Sequence, residues 1–242
     1  MTEQLPPAII FDMDDTILSD DRAAERCFRQ VCQEMCHRFQ PVMPEDLLAD
    51  ITEVRRWYWA DPERIRRGSL NLALARRELL SMAFERHCIE DDELLEEMSD
   101  AYQKLKAATI EVIPGALDTL KSLRSNGIRL GLITNGDAEG QRAKVRKAGL
   151  EPLFDSILVA GEFGVAKPDP QVFLHTLDRL RAEPQEAWMV GDNLYADIGG
   201  AQAVGIRGVW VDWRGSGLPD NTPAIPCRTI QSIVELNPEN TE

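Results

Sequence analysis

Short apolar runs alternate with amphipathic stretches along much of this chain. Residues 8–11 (AIIF), 128–133 (IRLGLI), 156–160 (SILVA), 187–190 (AWMV) and 208–211 (GVWV) have strand length and mostly unbroken apolar character. Between them, segments near 115–126, 139–148, 170–182 and 196–204 carry the apolar spacing of helices, and Gly127, Gly149 and Gly205 stand where helix-ending glycines belong. Apolar strands separated by helices predict a parallel sheet covered on both faces, that is, an α/β, doubly wound (Rossmann-like) core.

Residues 20–108 have another texture. They are rich in Arg, Glu, Leu and Ala, hold no convincing strand, and read as about four helices near 20–39, 44–58, 62–87 and 90–107. Pro44 and Pro62 fall near helix starts, where proline is tolerated. The pattern predicts two domains: an α/β core from residues 1–18 and 109–242, and an all-helical insertion at 19–108. No repeat or low-complexity segment is visible. The Pro- and Asn-rich tail from about Gly215 has room for one short helix between Ile230 and Leu236.

Composition narrows the class. In 242 residues, 27 Lys and Arg face 41 Asp and Glu, a net charge of −14, with 43% hydrophobic residues. That is too apolar for a disordered chain, and the acidic balance disfavours a nucleic-acid partner, which calls for a basic footprint. No apolar stretch reaches the ~20 residues of a membrane span, so no membrane partner is expected. The start, MTEQLPPAIIF, lacks the basic segment of a secretory leader. Cys27, Cys32, Cys36, Cys88 and Cys227 are odd in number and irregularly spaced, which fits reduced thiols and a cytoplasmic location. Cys27, Cys32 and Cys36 beside His37 would suit zinc, but they alternate with Ala24, Phe28, Val31 and Phe39 at helical spacing, so small buried core residues are the better reading.

In an open α/β sheet, chemistry collects beyond the C-terminal ends of the strands. Asp12-Met13-Asp14-Asp15-Thr16 follows the first run, Thr134-Asn135-Gly136 the second, Lys167-Pro168 the third, and Gly191-Asp192-Asn193 with Asp197 the fourth. Taken singly, each has a plain alternative as a turn, a cap or a solvated charge. Together they gather carboxylates, a hydroxyl and a lysine at one sheet edge. Clustered carboxylates need a cation to stay ionised, and hard oxygen ligands without His or Cys select Mg²⁺. A lysine and a hydroxyl beside that ion suit phosphate, so metal-assisted phosphoryl transfer follows from the residue types.

The order and spacing, D-x-D-x-T, a strand-end Thr, Lys-Pro, then G-D-x-x-x-x-D, resemble the four motifs of the haloacid dehalogenase (HAD) superfamily over residues 12–197. The inserted helices resemble that superfamily's cap, which would exclude water and limit substrate size by closing about linkers near 18–21 and 108–113. The resemblance implies Asp12 as nucleophile, forming an aspartyl-phosphate, and Asp14 as the acid that protonates the leaving oxygen and then deprotonates water. It implies Thr134 as a donor to the phosphoryl group, assisted by backbone amides at Asn135 and Gly136, with Lys167 neutralising charge. Mg²⁺ would take carboxylate oxygens of Asp12 and Asp192 and the carbonyl of Asp14, with Asp197 supporting from behind. Positions 12 and 14 would share a face if strand geometry persisted. Asp15 stands where many members carry glycine. Asp14 is absent from the dehalogenases that name the superfamily, and its presence favours phosphate-ester hydrolysis.

The expected activity is thus a cytosolic, Mg²⁺-dependent phosphatase acting on a small phosphorylated metabolite, resembling the branch of nucleoside 5′-monophosphatases and N-acylneuraminate-9-phosphatases. A phosphomutase on a sugar phosphate and a non-catalytic binding protein remain the alternatives, and monomer and homodimer are equally open. Within the insertion, Arg55-Arg56-Trp57-Tyr58-Trp59 with Arg64, Arg66 and Arg67 offers cations and stacking faces, although packing within the insertion is the favoured reading. The acidic run Asp91, Asp92, Glu93, Glu96 and Glu97 suits a helix N-terminus.

Overall fold

The computed structural model describes residues 5–68 and 70–238; the extreme ends of the expected core, and Ser69 in the insertion, lie outside the described residues. The chain divides into two compact units, Met1–Ser19 with Glu111–Glu242, and Asp20–Ile110. The two connections are adjacent within the first unit: the Ser19 amide donates to the Glu111 carbonyl and the Ile113 amide to that of Ile17, each at 2.9 Å.

In chain order the elements are β1 (Ala8–Phe11), α1 (Asp21–Met35), α2 (Pro44–Trp59), α3 (Pro62–Gly68), α4 (Leu72–Arg86), α5 (Asp92–Thr109), α6 (Ala116–Ser125), β2 (Arg129–Thr134), α7 (Ala138–Lys147), β3 (Ser156–Val159), α8 (Ala160–Phe163), α9 (Pro170–Leu180), β4 (Ala187–Gly191), α10 (Gly200–Ala203), β5 (Arg207–Val211) and β6 (Arg228–Ile230). The six strands form one parallel sheet in the order β3-β2-β1-β4-β5-β6. The fold is therefore the α/β, doubly wound class. Alternation divides the strand side chains between two covered faces: Ala8, Ile10, Ile133, Leu158 and Met189 pack with Val172, Phe173 and Leu177 of α9, while Ile9, Phe11, Leu130 and Leu132 are equally buried.

Two details depart from the sequence pattern. The segment near 62–87 is two helices, α3 and α4, because the chain breaks before Asn71, whose side chain caps α4 by accepting from the Leu74 amide at 3.0 Å. The tail supplies a sixth strand, β6, before a short 3-10 turn at Ile233–Leu236. Only three residues long and at the sheet edge, β6 has no apolar run to announce it.

The helical unit has its own core. Cys27, Phe28, Val31 and Cys32 of α1 meet Leu47 and Ile51 of α2, Leu80 and Phe84 of α4, and Leu94, Met98 and Tyr102 of α5. Phe28 stacks on Tyr102 with centroids 3.8 Å apart. Cys27 and Cys32 are thus core residues, and burial, with Glu45 adding to it, pushes the Cys32 thiol up to about 12. Among the described residues, no helix is long and apolar enough to cross a membrane.

Candidate active site

Everything gathered here lies in the α/β unit. β1 stops at Phe11, but the Asp12 amide still donates to the Val190 carbonyl of β4 at 2.9 Å, so Asp12 is held at the central strand's end. Beyond it the chain turns: the amides of Ile17 and Leu18 both donate to the Met13 carbonyl, and Asp15 adopts φ +58°. Left-handed backbone suits glycine and, among other residues, Asp and Asn best, which explains an Asp at that position. The ladder of β1 ends before Asp14, which makes an isolated bridge with Leu18, so strand pairing does not fix its side chain. Asp14 is placed instead by α7: Gln141 Nε2 donates to its Oδ2 at 3.0 Å, and Lys144 Nζ donates to both oxygens at 2.8 Å. The Asp14 carboxylate nevertheless lies close enough to Asp12 to disfavour that group's ionisation.

Lys167 is the centre of the arrangement. It is 2% exposed, and its ammonium donates to Asp12 Oδ1, to the Ile133 carbonyl at 2.9 Å, and pairs with Asp197 Oδ1 at 2.8 Å. Its main chain is held by Asn135, which accepts from the Lys167 amide at 2.9 Å and donates to its carbonyl at 3.1 Å. Thr134, at the end of β2, is 1% exposed; its hydroxyl donates to the Asn135 carbonyl over a long 3.4 Å. Gly136 follows, its carbonyl accepting from the Gly161 amide at 2.9 Å.

After β4 the chain enters a wide π-type turn at Leu194–Gly199, begun by Asn193, whose side chain accepts from the amides of Tyr195 and Ala196. The turn brings the buried Asp197 back beneath Gly191, where its Oδ2 accepts from the Asn193 amide at 2.9 Å. A Cβ on Gly191 would meet that oxygen at 2.3 Å, so only glycine permits this approach. Asp192 is tied down through its carbonyl, which accepts from the Trp210 indole at 2.8 Å.

Asp12, Asp192 and Asp197 each offer a carboxylate oxygen within 4.8 Å of the others. Burial, and then the neighbouring carboxylates, push Asp12 up to about 8 despite Lys167, and push Asp192 well above its ordinary range. Burial alone would lower the Lys167 ammonium; Asp12 and Asp197 outweigh it and hold it above its usual value. One buried cation thus faces three crowded carboxyls, and the excess negative charge suits a hard divalent ion with oxygen ligands. Asp197 has both oxygens engaged by Lys167 and Asn193. Asp12 and Asp192 are therefore the better side-chain donors. With its carboxylate on α7, Asp14 has its carbonyl left to offer.

The structure brings together Asp12, Lys167, Asp192 and Asp197, with Asn135 joined to Lys167, Thr134 bonded to Asn135, and Asp14 near Asp12. Sequence reasoning missed Gln141, Lys144 and the Asn135 side chain. The one signal available was the i, i+3 spacing of Gln141 and Lys144 on the helix after the second strand. In the helical unit, Arg55 pairs with Asp21, Arg67 with Glu78, and Arg64 lies 3.6 Å over the Trp57 ring, so the partners found for these residues belong to that unit. The Arg66 side chain lies outside the described residues. Asp91 caps α5, and Arg38 pairs with it and with Glu97.

The model of the haloacid dehalogenase-like hydrolases matches residues 6–205. A glyceraldehyde 3-phosphate phosphatase of Pyrococcus abyssi is 32% identical over 203 residues, covering 84% of this chain and 79% of that protein. The N-acylneuraminate-9-phosphatase of Rattus norvegicus is 28% identical over 247 residues, covering 95% and 91% respectively. Among solved structures, the HAD hydrolase YfnB from Bacillus subtilis, described as bound to magnesium, superposes with a TM-score of 0.76 at 24% identity, covering 96% of this chain and 97% of that one.

Proposed function

The chain belongs to the haloacid dehalogenase-like hydrolases, and from that premise we propose that it is a Mg²⁺-dependent phosphatase of small phosphate monoesters working through an aspartyl-phosphate on Asp12. The observation that carries this reading is the convergence of Asp12, Asp192 and Asp197, with Asp12 and Asp197 both paired to the buried Lys167 ammonium.

In the first step an Asp12 carboxylate oxygen attacks phosphorus, forming an Asp12 O–P bond as the bond to the leaving oxygen breaks. Asp14 gives its proton to that oxygen, so an alcohol departs rather than an alkoxide. In the second step Asp14 takes a proton from water, whose oxygen bonds to phosphorus as the Asp12 O–P bond breaks, releasing phosphate. Lys167 balances charge on Asp12 and the phosphoryl oxygens, and Thr134 turns its hydroxyl from the long Asn135 contact toward a phosphoryl oxygen. The carboxylates of Asp12 and Asp192 and the carbonyl of Asp14 would hold Mg²⁺, which when bound would neutralise charge on the ester and let the carboxylates ionise together.

The similarity to phosphatases of glyceraldehyde 3-phosphate and of an acylated sugar acid phosphate supports a small metabolite as substrate. The test is phosphate release from a panel of triose phosphates, N-acylneuraminate 9-phosphate, other sugar phosphates, nucleoside 5′-monophosphates and phosphoglycolate, with Mg²⁺ and with EDTA. Mg²⁺-dependent release from some members is expected. Transfer between sugar phosphates without release would point to a mutase.

A further inference from the structure

The Asp14 carboxylate is gripped from an element remote in sequence. α7, capped by Asp137 accepting from the Gly140 amide at 2.7 Å, presents Gln141 and Lys144 one turn apart on the same side. Together they deliver three hydrogen bonds to one carboxylate across sequence separations of 127 and 130 residues. Gln141 also donates from the same Nε2 to the Asn135 carbonyl, and Asn135 is the residue that grips Lys167. One side chain thus ties the acid's position to that of the buried lysine.

A purely structural origin fits this badly. The Lys144–Asp14 pair is partly buried, where desolvation offsets much of the attraction, so its net contribution to stability is small. Gln141 is 1% exposed, and its Oε1 has no hydrogen-bond partner among the described residues. Burying an unsatisfied acceptor costs about 1–3 kcal/mol, which a leucine of similar size would avoid. What glutamine supplies that leucine cannot is the Nε2 donor, aimed at Asp14 and Asn135. The bond count on Asp14 is also informative: Oδ2 accepts two donors and Oδ1 one. A carboxyl has about four acceptor sites, so Oδ1 keeps room for the transferable proton while the group is held at one rotamer.

We infer that Gln141 and Lys144 are positioning residues that fix the carboxyl of Asp14 for proton transfer to the leaving oxygen. The inference rests on the proposed acid role of Asp14 and deepens it. General acids act only within hydrogen-bond reach of the atom they protonate, and misplacement by about 1 Å costs on the order of 100-fold.

The test compares kcat/KM of the Mg²⁺-loaded full chain on phenyl phosphate, whose leaving phenoxide is strongly basic, and on 2,4-dinitrophenyl phosphate, whose leaving group departs without a proton. This constant covers only steps up to departure of the phenol, so the later hydrolysis does not enter. Lys144→Met and Gln141→Leu are expected to lose about 10- to 100-fold on phenyl phosphate and less than about 3-fold on the dinitrophenyl ester. Lys144→Arg, which keeps a bidentate cation, recovers most of the loss. Equal losses on both esters, or none on either, overturn the inference. Asp14→Ala serves as reference: selective loss there without it in the α7 variants sinks the positioning role alone, whereas equal loss in Asp14→Ala sinks the acid role and the inference with it.

Discussion

The Asn135 side chain closes on both main-chain polar groups of Lys167, accepting from its amide at 2.9 Å and donating to its carbonyl at 3.1 Å. The loop after β2 thereby fixes the loop before α9, and the ammonium reaches Asp12 and Asp197 from a backbone that is itself anchored. Asn135→Ala removes both bonds and leaves two partly enclosed main-chain groups unpaired, a cost of about 1–3 kcal/mol. With Lys167 displaced, kcat is expected to fall by about 10- to 100-fold while the fold persists, as read by phosphate release and thermal melting. Wild-type kcat in a normally melting variant would dismiss the clamp.

Gly191→Ala tests the support beneath the site. The new Cβ would lie 2.3 Å from Asp197 Oδ2, and Asp197 cannot retreat without breaking its pairing with Lys167. A loss of about 1–3 kcal/mol or more in denaturant unfolding, together with impaired turnover, is expected. A neutral substitution would mean that Asp197 packs otherwise.

Mg²⁺ should stabilise the chain, because an ion between Asp12 and Asp192 offsets the burial, and then the neighbouring negative charge, that raise both carboxyls. At 100 times Kd the stabilisation is about 2.7 kcal/mol, or roughly 5–10 °C in Tm for a chain of this size. Asp192→Asn is expected to abolish the shift. A Tm that ignores Mg²⁺ in the wild type, or an undiminished shift in the variant, would place the ion elsewhere.

Asp212, just beyond the end of β5, gives a pH signature. Burial by itself would raise its carboxyl, but donors from Gly217 and Ser216, the nearest at 2.7 Å, outweigh burial and hold it below its ordinary value. A folded value below the unfolded one contributes stability that is complete above the unfolded carboxylate range near ~4 and fades as pH falls through the folded value. Asp212→Asn should therefore melt about 2–6 °C below wild type at neutral pH, with the gap narrowing below about pH 4. A gap constant down to pH 3 would show that the charge contributes nothing.

Much of the site is legible in the sequence because each member stands where a strand ends. The apolar run before Asp12 and the one before Thr134 announce β1 and β2, and the parallel order of the sheet makes their ends neighbours. The helical unit is similarly readable from the spacing of Phe28, Val31 and Cys32. What escapes the sequence depends on how elements dock. Lys144 reads as a solvated helical lysine until α7 is set beside the turn that carries Asp14. Asn135 reads as a turn residue until the Lys167 loop arrives against it. Asp197 is expected to support the site from behind, but the means, a wide turn at Leu194–Gly199 that folds it under Gly191, is set by packing. β6 is missed because three residues with Arg228 and Thr229 among them carry no apolar signal.

The nucleophilic role of Asp12 is where the whole account is most exposed. The direct measurement is phosphate release from 4-nitrophenyl phosphate in Mg²⁺ by the wild type and by Asp12→Asn, each confirmed to be folded by circular dichroism. The account predicts turnover in the wild type and a loss of more than about 1,000-fold in the variant, which keeps the size of the side chain but not its attacking oxygen. Equal rates from the two proteins would contradict it.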